Sequence, residues 1–337
     1  MKQNRKYAVT ALGELLVDFT CSGESAQGNP VYEANPGGAP CNVLSMLSRL
    51  GDSTAFIGKV GDDMFGRMLK DKAARQGIDM SGLEMDKSIP TTLAFVQKLP
   101  NGDRDFSFYR KPGADIMLTS EEVERHKELL EDTSIFHFGT LSMTDETVDR
   151  ATREALTIAK DNGAVISFDP NYRAPLWGSV DEAKEKMAFG MQNCDVLKIS
   201  DNEIALLTGK GVRPDGTTDP GEIDEGMRIL ISRFDIPLAF ATLGADGSKA
   251  YWQGRSVFVP GFKNPDTIET TGAGDTFCAC ALHFILRFGL KDLDEDKLKE
   301  LLTFANAAAS LITTRKGALA VMPSKEEVQA YIDRYNR

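Results

Sequence analysis

Thr270-Thr271-Gly272-Ala273-Gly274-Asp275 places three small residues and a carboxylate where an apolar, strand-like run gives way to a helical pattern reaching about Phe288. Small side chains let backbone amides approach an anion closely, and the helix that follows adds the positive end of its dipole. Asp275 falls in the first turn, within reach of a hydroxyl attacking a phosphoryl group held at those amides. The same string equally serves as a glycine turn with a first-turn acid that simply starts a helix. The dipole is expected to keep Asp275 ionised and a weak base. A loose phosphoryl-transfer transition state tolerates that, because most of its stabilisation comes from positioning and charge.

Working outward, strand-like runs at residues 7–19, 54–60, 134–142, 164–169, 195–199 and 238–243 alternate with helical patterns at 41–50, 64–76, 145–161, 181–192 and 221–234. Such βαβ alternation predicts a three-layer αβα fold with a mostly parallel central sheet, and ligands gather beyond the carboxyl ends of its strands. Two segments break the rhythm. Residues 21–35 form a polar loop or short strand, and 91–99 with 104–110 flank Pro100-Asn101-Gly102-Asp103 as a hairpin. These insertions, about 19–36 and 91–111, are expected to join as a small β-sheet lid on a single domain spanning 1–337. The Gly-, Pro-, Thr- and Asp-rich loop 210–220 is the expected mobile insertion.

Composition narrows the function. A net charge of -11 over 337 residues argues against a nucleic-acid or anionic-membrane surface while leaving room for a small basic pocket. Five cysteines with no C-x-x-C pair indicate neither a zinc site nor a disulfide framework, and point to a reduced cytoplasm. The N-terminus lacks the uninterrupted apolar core of a signal peptide, and no later run is long and apolar enough to span a bilayer. His126, His137 and His283 read as structural or surface residues.

Further strings carry candidate chemistry, each beside a plainer reading. Asn35-Pro36-Gly37-Gly38-Ala39-Pro40-Cys41-Asn42 opens a helix. Its glycines permit close approach, and Asn42 suits a polyol, or the string is an ordinary turn and cap. Asp18, ending a strand, grips sugar hydroxyls or bonds local amides. In Phe106-Ser107-Phe108-Tyr109-Arg110, alternation puts Phe108 and Arg110 on one face, so Arg110 hangs over the substrate or is a solvated surface cation. Asp169-Pro170-Asn171-Tyr172-Arg173 offers polar groups to the crevice or makes a turn. Ser200-Asp201-Asn202-Glu203 places Glu203 near hydrated Mg²⁺ or caps a helix. Thr242-Leu243-Gly244-Ala245-Asp246-Gly247 suits a turn beneath adenosine or a hairpin, and Asn306 with Ala307-Ala308-Ala309 suits a wall beside the base or a close helix contact.

Taken together, Gly13-Glu14 with Asp18, Pro36-Gly37-Gly38-Ala39-Pro40 with Asn42, Phe56 through Asp63, Phe108-Tyr109-Arg110, Phe168 through Arg173 and Thr270 through Asp275 carry a resemblance. The chain resembles the ribokinase-type (PfkB) sugar kinases from about residue 12 to 324, most closely the fructokinases. The resemblance implies a transferase that moves a phosphoryl group from ATP, with Mg²⁺, to the 6-hydroxyl of D-fructose or a related small sugar. By the same token Asp275 is the base and Gly272, Ala273 and Gly274 form the anion hole. Asp18, Gly38, Asn42, Arg110 and Arg173 hold the sugar; Ser200, Thr242, Gly244, Gly247 and Asn306 surround the nucleotide; Glu203 serves magnesium through water. It further implies a homodimer joined through the lid and a monovalent cation, K⁺, beside Glu269 and Thr271. Three departures bear on these roles: Glu269 stands where relatives usually carry Asp, Val321 where a hydroxyl ligand can stand, and Ser200 where many carry Asn. A 2-keto-3-deoxygluconate kinase is the alternative within the fold. A non-catalytic sugar or nucleotide sensor is the alternative outside it, and the intact Asp275 with its glycines argues against that.

Overall fold

The computed structural model of the chain describes residues 5–98, 104–211 and 219–335. The strands are β1 (Tyr7–Leu12), β2 (Leu16–Glu24), β3 (Pro30–Gly37), β4 (Thr54–Gly61), β5 (Ile78–Asp86), β6 (Leu93–Lys98), β7 (Arg104–Tyr109), β8 (Thr133–Gly139), β9 (Val165–Asp169), β10 (Val196–Ser200), β11 (Leu238–Thr242), β12 (Gly247–Trp252) and β13 (Arg255–Pro260). The helices are α1 (Ala39–Arg49), α2 (Met64–Arg75), α3 (Ser120–Arg125), α4 (Glu128–Glu131), α5 (Glu146–Asp161), α6 (Val180–Asn193), α7 (Asp201–Thr208), α8 (Pro220–Phe234), α9 (Ala273–Phe288), α10 (Glu295–Ile312) and α11 (Lys325–Tyr335).

Nine strands form the central sheet in the order β13-β12-β11-β10-β9-β8-β1-β4-β5, and four form a separate small sheet, β3-β2-β6-β7. The strands from β11 to β5 across the large sheet pair in parallel, whereas β12 and β13 close one edge as antiparallel neighbours. Neighbouring residues on one strand serve opposite faces, so Phe56 packs in one core with Leu44 and Phe277 while Ile57 packs in the other with Phe136 and Phe168. Helices therefore cover both faces. The fold is the expected ribokinase-like arrangement with its small accessory sheet.

The structure corrects two expectations and decides a third. The run 7–19 is two strands rather than one: β1 joins the central sheet, the chain turns at Gly13, and β2 leaves for the small sheet. No strand leads directly into α9. β13 ends at Pro260, and the following residues run irregularly to the helix, because the chain must cross from the sheet edge to the middle of the crevice. The segment 21–35 takes the strand alternative at both ends, 21–24 in β2 and 30–35 in β3, with a turn between them. β6 and β7 pair antiparallel as a hairpin requires, Leu93 opposite Tyr109, while the expected turn at 100–103 lies outside the described residues, as does 212–218 of the loop at 210–220.

One carboxylate ties the small sheet to the body. Asp63 caps α2 through Phe65 N and Gly66 N, and it also accepts from Thr91 N and Thr91 Oγ1 just before β6, each at 2.8–2.9 Å. Burial opposes its charge, yet these donors hold it below the ordinary carboxylate range.

Candidate active site

The carboxyl ends of β1, β9 and β10, the start of α1 and the start of α9 converge on a cleft of about 600 Å³. Gly38 begins α1 at φ 121°, where a Cβ would lie 2.3 Å from the Glu14 carbonyl oxygen, so only glycine fits. Asn42 then sits in the first turn, 4% exposed, and donates from Nδ2 to Asp275 Oδ2 at 2.8 Å. Its Oδ1 is buried and has no hydrogen-bond partner among the described residues. A buried acceptor without a partner, in a residue that lines a polar cleft, is a place for a ligand hydroxyl.

Asp275 lies in the first turn of α9, whose leading residue Gly272 adopts φ 77° with a virtual Cβ only 2.6 Å from Ala318 Cβ. The expectation that the helix end keeps this acid strong is corrected. Burial, reinforced by the nearby Asp169 charge, outweighs the Asn42 hydrogen bond and the Lys198 and Arg173 charges, and raises it to about 6. It is thus ionised at neutral pH yet a better proton acceptor than a surface aspartate. Of the expected anion cradle, the Ala273 amide turns back to Thr270 O at 3.3 Å. The first turn of a helix leaves further amides without intrahelical acceptors, and Gly272 and Gly274 line the cleft beside Asp275.

The sugar candidates Asp18, Gly38, Asn42 and Arg173 all line this cleft; Arg110 does not. Arg110 is 5% exposed and pairs with Asp115 through Nε at 2.8 Å and Nη2 at 2.7 Å. It also donates to Thr144 Oγ1 at 2.9 Å and Leu141 O at 2.8 Å. Instead of hanging over a substrate it anchors the end of β7 to the body, because a buried guanidinium must be paired. Its strand neighbour Phe108 faces the cleft, whereas Tyr109, 65% exposed, stacks edge-on against Phe95 on the other side.

A second cavity of about 580 Å³ adjoins the first and holds Ser200, Thr242, Gly244, Gly247 and Asn306, the nucleotide candidates. Here much of the polarity is already engaged. Asn306 Nδ2 donates to Val259 O at 3.0 Å and Pro260 O at 3.3 Å, while its Oδ1 accepts from Ser248 Oγ at 2.7 Å. Gly247, at φ 116°, would bring a Cβ within 2.3 Å of Val259 O. Glu203 completes a capping box on α7 through Ser200 and also accepts from Tyr172 N at 2.8 Å. Glu269 accepts from Gly317 N at 2.7 Å, and Thr271 lines the cleft next to it.

Two residues absent from the sequence-based candidates stand out. Glu14 accepts from Ala39 N at 2.8 Å, and burial raises it to about 7. Lys198, a cation inside the apolar run Val196-Leu197-Lys198-Ile199, pairs with Asp169 at 3.0 Å. A charge interrupting a buried strand was the available signal for it. The histidines stay outside: His283 pairs with Asp52 at 2.7 Å, His126 with Glu84 at 2.9 Å, and buried His137 is lowered to about 3.

Known proteins resemble this chain over nearly its whole length. The model of the pfkB family carbohydrate kinases matches residues 8–325. Fructokinase-1 of Zea mays is 39% identical over 328 residues, covering 97% of this chain and 98% of its own. Fructokinase with bound ATP from Xylella fastidiosa has a TM-score of 0.85 at 29% identity, covering 98% of this chain and 100% of that one. A double mutant of the Vibrio cholerae fructokinase, bound to fructose, ADP and potassium ion, has a TM-score of 0.81 at 28% identity, covering 98% and 100%.

Proposed function

This chain belongs to the pfkB family of carbohydrate kinases, and from that premise we propose that it transfers the γ-phosphoryl group of ATP to the 6-hydroxyl of D-fructose. The observation that carries the site assignment is the Asn42–Asp275 pair at 2.8 Å, set in a polar cleft that abuts a glycine-built second cavity. The sugar lies along Asp18, Gly38, Asn42 and Arg173, with a hydroxyl on the orphaned Asn42 Oδ1. The 6-oxygen forms a bond to the γ-phosphorus as the bond to the β–γ bridging oxygen breaks. Its electron pair stays on ADP, and the hydroxyl proton passes to Asp275. The α9 amides around Gly274 face the charge on the moving group.

Magnesium supplies charge neutralisation on the phosphate oxygens when bound. Among the described residues no cluster of three or more His, Cys, Asp or Glu suits a metal cage, so the donor set fits a metal carried mainly by phosphates. Glu203, with three donors already on its carboxylate, retains room for one water-mediated contact. Potassium enters this reading as an activator beside Glu269 and Thr271, tested by exchanging KCl for choline chloride. The small sheet acts as the lid, and its exposed Val31, Tyr32 and Tyr109 form the surface for a second copy, tested by light scattering across concentrations.

A coupled ADP-release assay over a sugar panel that includes 2-keto-3-deoxygluconate tests the substrate. Fructose is expected to give the highest kcat/KM, and preference for another acceptor overturns the assignment.

A further inference from the structure

The position of Lys198 is unusual. It is 7% exposed in the middle of the central sheet, yet it borders both cavities, the sugar cleft and the nucleotide cavity. Gly274 borders both as well, and a Cβ added there would stand 3.0 Å from Lys198 Nζ. The missing side chain therefore lets the ammonium reach the amides at the start of α9. Among the described residues Asp169 is its one ion-pair partner, and an ammonium carries three donors.

A buried ion pair is weak evidence for stability, because desolvation offsets its attraction and an apolar pair of similar volume often serves as well. The pair gains a purpose where the two cavities meet, since the phosphoryl group must pass that point. We propose that Lys198 is a catalytic residue: held by Asp169, its ammonium contacts the γ-phosphoryl oxygens during transfer and works with the α9 amides as the fixed positive side of the anion site. This rests on the phosphoryl-transfer reading above, but not on which sugar accepts the group. The bonds made and broken are those already given; Lys198 keeps its proton throughout. Burial pulls the ammonium towards neutrality, but Asp169 and Glu203 more than compensate and hold it above its ordinary range.

The test compares nucleotides. Titration calorimetry without sugar measures ADP and the non-hydrolysable analogue AMP-PNP on the unsubstituted chain, on Lys198→Met and on Asp169→Asn/Lys198→Met. The double variant removes the stranded carboxylate charge in case the single one does not fold. AMP-PNP affinity is expected to fall at least about tenfold while ADP affinity stays within about twofold, and kcat to fall about 100- to 1,000-fold with the sugar dissociation constant unchanged. Equal loss for both nucleotides, or kcat within about threefold of the unsubstituted chain, overturns the proposal. Absence of sugar-dependent ADP release from the unsubstituted chain would instead reject the kinase reading, and the nucleotide ratio separates the two failures.

Discussion

The two walls of the crevice are built on different principles. On the sugar side the polar groups are buried yet left for a ligand: Asn42 Oδ1 has no partner, and Asp275 and Glu14 are raised to about 6 and about 7. On the nucleotide side the polar groups are largely consumed by the fold. Asn306 binds three groups of β12 and β13, and Ser310 Oγ donates to Phe262 O at 2.7 Å, leaving a surface shaped by glycine, alanine and Phe262. One wall stores electrostatic cost for chemistry, whereas the other spends its polarity on shape. Substitutions of polar side chains should therefore change turnover most on the sugar side.

The largest expected effect is on the first wall. Asp275→Asn should lower kcat about 100- to 10,000-fold with fructose binding kept, and near-normal turnover would remove Asp275 from the role of base. The same variant should be more stable at neutral pH by about 1–3 kcal/mol, because it no longer holds a charge that burial disfavours. A lower melting temperature than the unsubstituted chain at pH 7 would contradict that.

Glycines compare the walls directly. Gly38→Ala forces a Cβ to 2.3 Å from Glu14 O at φ 121°, and should cost about 3 kcal/mol in urea unfolding. Gly244→Ala meets open space at φ 56° and should cost only about 1 kcal/mol. Equal costs would mean that the sugar-side turn relaxes freely.

Asn42→Ala should raise the fructose KM about tenfold through loss of one ligand hydrogen bond. For the unsubstituted enzyme kcat/KM should fall below pH about 6, as protonation removes the base, and in the variant this limb should move to higher pH because Asn42 favours the carboxylate. An unmoved limb would uncouple the pair.

The smallest effect concerns Glu14. Its folded value of about 7 lies above the ordinary 4.5, so the folded state holds the extra proton between those values. Stability from the protonated form is complete below about pH 4.5 and is lost as pH rises through about 7. Glu14→Gln, always neutral, should flatten the decline of melting temperature between pH 5 and 7; an unchanged slope would contradict the assignment.

Much of this contrast was legible in the sequence where local signals agree. The glycine turns and the βαβ alternation located α1, α9 and most of the parallel sheet, since small residues and hydrophobic period report backbone geometry directly. What the sequence hid depends on distant partners. Arg110 reads as a lid cation until Asp115, Leu141 and Thr144 surround it. Glu14 needs the burial and the Ala39 amide that only the folded chain supplies, and the β1–β2 break at Gly13 is masked by continuous hydrophobicity on both sides. The edge pair β12–β13 and the strand β5 escaped because polar residues punctuate them, Ser248 and Lys249 in β12, Arg255 and Ser256 in β13, Asp79, Ser81 and Glu84 in β5, so no apolar run marks them.

Product analysis tests most directly that this cleft moves the γ-phosphoryl of ATP onto a sugar hydroxyl. Phosphorus and carbon NMR of the unsubstituted enzyme with ATP, magnesium and fructose should show D-fructose 6-phosphate accumulating one for one with ADP. ADP forming without phosphorylated sugar, or phosphate on another fructose oxygen, would contradict the account.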